Sequence, residues 1–220
     1  MAKISFSIAK DFRRNNALNN ENKPLEYAVQ EVILAKNLYL DPILTRKLFQ
    51  ILPLADYYVR MKRRMDCIEV LAKAGIRIKV FGNGWTNSPF ANKLEIYRAV
   101  NFTELLNLIS KTKLVLNIVP SFSEGSHERV FSAMLNGAVA LTDCNKYYET
   151  EFKEDSNIVM YSWNNLDELP DKINNLLRDE ERLADIAQAG YKVAMKSHTW
   201  TARALAIIEM VENFRCLQKF

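Results

Sequence analysis

The residues best equipped for chemistry lie in one run, Pro120-Ser121-Phe122-Ser123-Glu124-Gly125-Ser126-His127-Glu128-Arg129. It sits between a nearly unbroken apolar stretch, Leu114–Val119, and an amphipathic one carrying Val130, Phe131, Met134 and Leu135. A strand followed by a helix would place the backbone N–H groups near Ser126–Arg129 at a helix start. There free donors and the helix dipole hold phosphate. Arg129 and His127 could add charge-assisted hydrogen bonds to a diphosphate. Glu124 would repel phosphate, and its carboxylate suits paired hydroxyls such as those of a sugar or ribose. Each residue also has a plain structural use. Ser126 or His127 could cap the helix, and Glu128 and Arg129 could form a surface pair worth little.

A second group is Gly82-Asn83-Gly84-Trp85, which follows the apolar run Ile76–Phe81. Two glycines after a strand let backbone approach a ligand closely, and Trp85 could stack on a ring or simply pack. A dinucleotide fingerprint would need a third glycine where Asn87 stands, and no phosphate-binding P-loop is present. The third group is basic: Arg60, Lys62, Arg63 and Arg64. It crowns a charge asymmetry in which residues 1–64 hold 12 Lys and Arg against 6 Asp and Glu. Such a cluster meets phosphates, anionic lipid or nucleic acid, or is a solvated helix face. Cys67, Cys144 and Cys216 have no metal-type spacing, no Asp-x-Asp occurs, and two histidines stand far apart.

These residues need a scaffold, and the pattern supplies one. With 220 residues, 49% hydrophobic and 25% charged, the chain has the composition of a globular protein with a real core. No apolar run reaches membrane-spanning length, and the alternating N-terminus (Lys3, Ile4, Ser5, Phe6) lacks the apolar core of a signal peptide. The odd, scattered cysteines favour a reducing compartment, so a cytoplasmic location is expected. Residues 1–56 read as a mainly helical N-terminal segment: a short strand at Ile4–Ile8, an Asn-rich loop over Asn15–Asn22, then helical pieces punctuated by Pro42 and Pro53. Residues 57–220 alternate helices and strands. Strands are expected at Ile76–Phe81, Glu95–Val100, Lys113–Val119, Ala138–Thr142 and Asn157–Tyr161. Thr103 is placed to cap one helix, and Leu166–Leu177, Glu181–Met195 and Trp200–Leu217 close the chain as helices. The reading is α/β, a doubly wound parallel sheet with a helical preface. In such sheets ligands bind beyond the carboxyl ends of the strands, where both glycine-containing loops fall.

The segment Leu114–Asp143 resembles the nucleotide-sugar-binding signature of GT-B glycosyltransferases, within the bacterial spore-maturation-type group of glycosyl transferases group 1. Phe81–Trp85 is similar to that family's glycine turn, and His198-Thr199-Trp200 to its closing segment. The resemblance spans roughly residues 57–215. It implies a single Rossmann-like donor domain that binds a nucleoside diphosphate sugar, with the diphosphate on the helix N-terminus. Glu124 matches the first acidic position of the motif, Gly125 the glycine after it, Gly137 the glycine closing the helix, and Arg129 an arginine common in the group. The second acidic position falls on Ser132, a departure, and Glu128 is one turn away. Arg60 or Arg64 matches basic side chains that the family sets near the diphosphate.

The resemblance therefore implies metal-independent transfer of a sugar from a nucleoside diphosphate donor, with Glu124, His127 and Arg129 at the reacting centre. Gly82, Asn83, Gly84, Trp85, Gly125, Ser126, Glu128, Ser132, Arg60 and Arg64 would bind the donor. No cofactor is expected beyond that donor substrate. GT-B enzymes use two Rossmann domains and only about 55 residues precede this one, so the partner is an acceptor domain or another copy of the chain. The alternative is a non-catalytic sugar-nucleotide-binding or partner subunit. Nucleic acid is a weaker reading, because no known reader motif accompanies the basic cluster. Peripheral contact with a membrane stays open.

Overall fold

The structure, a computed structural model, describes residues 24–119 and 122–217. The strand expected at Ile4–Ile8, the loop at Asn15–Asn22 and the pair Pro120-Ser121 lie outside the described residues.

Three parallel strands, β3 (Leu114–Asn117), β4 (Val139–Asp143) and β5 (Val159–Tyr161), pair in the order β3-β4-β5. A second parallel pair joins β1 (Ile78–Phe81) to β2 (Leu94–Tyr97). Every residue of β4 is buried, as expected of an apolar strand covered on both faces. Side chains alternate with the period of two. Val139, Leu141, Val159 and Tyr161 face one layer, with Cys67, Leu71, Leu169, Ile173 and Ile186. Ala138, Ala140, Ile158 and Met160 face the other, with Ile109, Val130, Met134, Tyr148 and Ala194. The sheet is doubly wound. Ile78 of β1 and Leu116 of β3 pack against one cluster of Ile68, Ala72 and Phe90, which draws the two sheets together.

Helices fill both layers. On one side lie the second half of α2 (Pro42–Lys73) and α6 (Leu169–Arg178), with α7 (Glu180–Ser197) at the layer's edge. On the other lie α3 (Phe102–Ile109), α4 (Glu128–Leu135) and α5 (Lys146–Glu151). The crossover from β1 to β2 holds two 3-10 turns, Trp85–Asn87 and Ala91–Lys93, instead of an α-helix. Helix α1 (Leu25–Ala35) packs on the first half of α2, and α8 (Trp200–Leu217) ends the described chain.

Two expectations are corrected. Pro53 does not punctuate the preface: α2 runs unbroken through it and across residues 56 and 57. Proline inside a helix removes one hydrogen bond. Leu48, Leu52, Ala55 and Val59 nonetheless recur at helical spacing and pack on Ala28, Val29 and Val32, and such packing outweighs local propensity. Pro42 does serve as a start signal, behind Asp41, whose side chain accepts from the N–H groups of Ile43 and Leu44 at 2.8 Å. Second, Asn101, not Thr103, caps α3. Its side chain accepts from Glu104 N–H at 2.9 Å while Glu104 reaches back to Asn101 N–H, a reciprocal capping box.

Gly190 marks the closest approach of α7 to the sheet. A Cβ there would lie 2.7 Å from the backbone oxygen of Asn157. Alanine favours helix by up to about 1 kcal/mol over glycine, but overpacking against rigid backbone costs about 1–3 kcal/mol. Gly190→Ala is therefore expected to lower the thermal midpoint. A midpoint equal to or above that of the parent chain would show that α7 can slide away from Asn157.

Candidate functional site

The site is built on polar residues that end otherwise apolar strands. Asn117 closes β3 and Thr142-Asp143 closes β4, and all three are buried. Asn117 donates its amide to Thr142 Oγ1 at 3.0 Å. The Asp143 carboxylate accepts from Val119 N–H at 3.0 Å and from the Trp163 indole at 3.2 Å. It thereby fixes the chain leaving β3 to the chain leaving β5. The guanidinium of Arg63, also buried, lies over the Trp163 ring at 4.9 Å.

The loop into α4 is held from behind by α5. Asn145 donates to the carbonyls of Phe122 and Gly125 at 2.8 and 3.0 Å, and its own Oδ1 caps α5 through Tyr148 N–H. The buried Tyr148 hydroxyl accepts from Ser126 Oγ at 3.1 Å and from His127 N–H at 3.3 Å. His127 is the N-cap of α4: its Nδ1 accepts from Arg129 N–H at 3.2 Å. An Nδ1 acceptor requires the neutral ring. Burial, with the nearby Arg129 charge, pushes the His127 pKa down and keeps it neutral.

Arg129 does not pair with Glu128 on the surface. Its side chain turns inward and donates to Asn117 Oδ1 at 3.0 Å. Burial, and then the charge of Arg64, lower its pKa, and Arg64 also pushes His127 down. Arg64 thus lies near enough for its charge to be felt at the start of α4. Arg60 does not join it: its guanidinium is exposed and pairs with Asp56 at 2.8 Å. Among the described residues neither Arg64 nor Arg129 forms an ion pair with a carboxylate. The Glu128 carboxylate works against Arg64 at both residues, so two cationic side chains and one carboxylate set the charge at this helix start.

The remaining expected residues fall into two groups. Glu124 stands on the exposed rim, bonded to Lys146 Nζ at 2.8 Å, and that ammonium holds its carboxyl below the usual range. Glu128 is exposed in the first turn of α4, and half-buried Ser132 follows one turn on, its carbonyl accepting from Asn136. Gly82 and Gly84 both have positive φ, 124° and 91°, so the turn after β1 needs glycine. Asn83 between them is exposed. Trp85 packs against the Ile68–Ala72–Phe90 cluster, the structural one of its two expected uses. Burial pushes the thiols of both Cys67 and Cys144 up to about 12.

Sequence reasoning passed over Asn117, Thr142, Asp143, Asn145, Tyr148 and Trp163. The usable signal was position, since LVLN and VALTD both end in polar residues where a sheet meets its ligand.

A family model described as glycosyl transferase-like matches residues 63–209, more than half of the sequence, and the chain belongs to that family. No curated protein matches. Among solved structures, TarM is similar with a TM-score of 0.55 and 15% identity, over 70% of this chain and 32% of TarM. HepE from Anabaena, solved in complex with UDP, is similar with a TM-score of 0.51 and 14% identity, over 66% of this chain and 44% of HepE. These likenesses establish the fold. The chain spans less than half the length of either structure.

Both histidines carry lowered pKa values, and for both the leading cause is burial. Arg203, which donates to His198 Nδ1 at 2.8 Å, adds to the effect at the second. Below about 6.5 the unfolded chain takes up protons that the folded one refuses. Stability is therefore full above that pH and falls as the pH drops toward the lower folded values. Denaturant titrations across this window should show the loss. A His127→Asn/His198→Asn variant, which keeps a good N-cap at 127, should lose less. An unchanged slope in the variant would assign the acid sensitivity to carboxylates instead.

Proposed function

We propose that the chain is the donor-binding half of a glycosyltransferase of the spore-maturation-type group. It moves a sugar from a nucleoside diphosphate donor to a hydroxyl acceptor, without a divalent cation. The observation that carries this reading is the Arg129 guanidinium, held at the start of α4 by an amide oxygen, with the charge of Arg64 felt beside it. A diphosphate leaving group gains negative charge as the glycosidic bond breaks, and fixed cations aimed at it stabilise that charge without reorganising. Arg129 is fixed in this sense, because Asn117 holds its guanidinium and Thr142 holds Asn117. The Glu128 N–H at the helix start adds a donor for the same anion. Glu124 on the rim would receive sugar hydroxyls by exchanging its exposed contact with Lys146. His127, neutral and committed to capping, serves by position and not as a proton carrier. The UDP bound to HepE supports a nucleoside diphosphate as ligand.

The acceptor half comes from elsewhere, as another domain or a second polypeptide. Two facts support this: the chain covers only 32% and 44% of the similar structures, and α8 exposes Trp200 and Met210 at 92% and 71%. A non-catalytic donor-binding subunit rests on the same two facts and differs only in whether transfer follows binding.

Thermal unfolding against UDP-, GDP-, ADP- and dTDP-linked sugars, without metal, tests the donor site. Ligand at about 100 times its Kd adds about 2.7 kcal/mol and should raise the midpoint by several degrees. No shift with any donor would sink the reading for this chain alone. Arg129→Ala should weaken donor binding by about 1.5–3 kcal/mol, and unchanged affinity would remove it from the site. Glu124→Gln should weaken the intact sugar nucleotide more than the free nucleotide. Equal losses would show that Glu124 does not read the sugar.

A further inference from the structure

The outward face of α2 is the second unusual surface. Opposite the buried Leu48, Leu52, Ala55 and Val59, the helix presents Ile43, Leu54 and Tyr57, exposed at 64%, 70% and 59%. Ile43, Lys47 and Leu54 are separated by four and seven residues, and Arg46 and Tyr57 by eleven, so at 3.6 residues per turn they form one side of the helix. Interleaved with the apolar side chains are exposed Arg46 and Lys47. No acidic side chain is exposed between residues 34 and 62. The two carboxylates in that span are half-buried and already engaged: Asp41 caps α2 and Asp56 pairs with Arg60.

We propose that this face docks on an anionic lipid surface. Bulky aliphatic and aromatic side chains among cations, with carboxylates withheld, match the two terms of interfacial binding. Apolar groups enter the acyl boundary, and the cations meet the anionic headgroups. A nucleic acid would engage Arg46 and Lys47 but would leave Ile43 and Leu54 in water. A protein partner would need carboxylates to answer the cations, and a second copy of this face has none exposed to offer. No described helix is long and apolar enough to cross a membrane, so the contact lies on the surface of the bilayer. The proposal does not rest on the donor reading, and donor binding is scored separately by thermal shift.

Co-sedimentation of the full chain with phosphatidylcholine vesicles, with and without phosphatidylserine, provides the test. Binding is expected with the anionic vesicles alone and should fall at high salt. Arg46→Ala/Lys47→Ala should reduce partitioning about 30-fold, and Leu54→Ser about tenfold. Unchanged unfolding midpoints in these surface variants would confirm that both remain folded. For a variant that does not fold, Arg46→Gln/Lys47→Gln repeats the measurement. Three results would overturn the proposal: no binding to anionic vesicles, equal binding to neutral ones, or self-association in light scattering that Leu54→Ser abolishes. Tight binding to single-stranded RNA without vesicle binding would assign the face to nucleic acid instead.

Discussion

The buried carboxylate of Asp143 is the constraint on which the site depends. A parallel sheet delivers its strands side by side, but the loops beyond their carboxyl ends must diverge to reach helices on opposite faces. Asp143 ties two of those departures together by accepting from Val119 N–H on one side and the Trp163 indole on the other. A buried carboxylate persists only where hydrogen bonds replace its water, and here those bonds are also the geometry. The loop that carries the charged run toward α4 therefore leaves the sheet from a fixed point. Everything built on it, from Ser126 to Arg129, inherits that position.

The loop itself is held by neutral groups, which decides what charge remains available. Tyr148 answers Ser126 Oγ and His127 N–H, Asn145 answers two carbonyls, and His127 answers the N–H of Arg129. None of these contacts neutralises a cation. Arg129 is steered by an amide oxygen, which orients a guanidinium without cancelling its charge, and Arg64 stands near enough to lower its pKa. Burying the Arg129 guanidinium beside a like charge opposes folding. The cost is tolerable because burial is partial and solvent screens the pair. A bound anion would turn the repulsion into a binding term, and a site organised before its ligand arrives loses little entropy when it does.

Much of the fold was legible in the sequence because apolar runs bounded by glycine and proline carry strand and helix periods directly. Lys113–Val119 contains β3, and the last helix was read to its end at Leu217. The failures have a common physical origin, since each turned on a specific contact that residue type and spacing do not reveal. Pro53 looks like a break until α1 is seen packing on both sides of it. Thr103 and Asn101 are both good caps, and the reciprocal bond with Glu104 decides between them. The site was legible as a segment but not as a constellation. Glu124, His127 and Arg129 are conspicuous in the primary structure, whereas Asn117 and Asp143 are single polar residues at the ends of apolar strands. Their significance lies in which strands are neighbours. The basic cluster shows the limit most plainly. Arg60, Arg63 and Arg64 are near-adjacent in sequence, yet helical rotation sends one to solvent, one onto Trp163 and one toward α4.

That rotation makes α2 the element joining the two halves of the molecule. Its 32 residues extend about 48 Å. The first half has one face against α1 and the other outward, and the second half enters the core of the sheet through Cys67 and Leu71. Tyr57 on the outward face and Arg64 at the site are two turns apart, about 10 Å along the axis. A helix continuous over that distance transmits orientation, because its hydrogen-bond ladder resists bending far more than a loop would. A surface held by the first half of α2 would thus fix the orientation of the second half, which packs in the core of the sheet. The unbroken passage through Pro53 accordingly bears on the site, since a break there would uncouple the outward face from the arginine it carries into place.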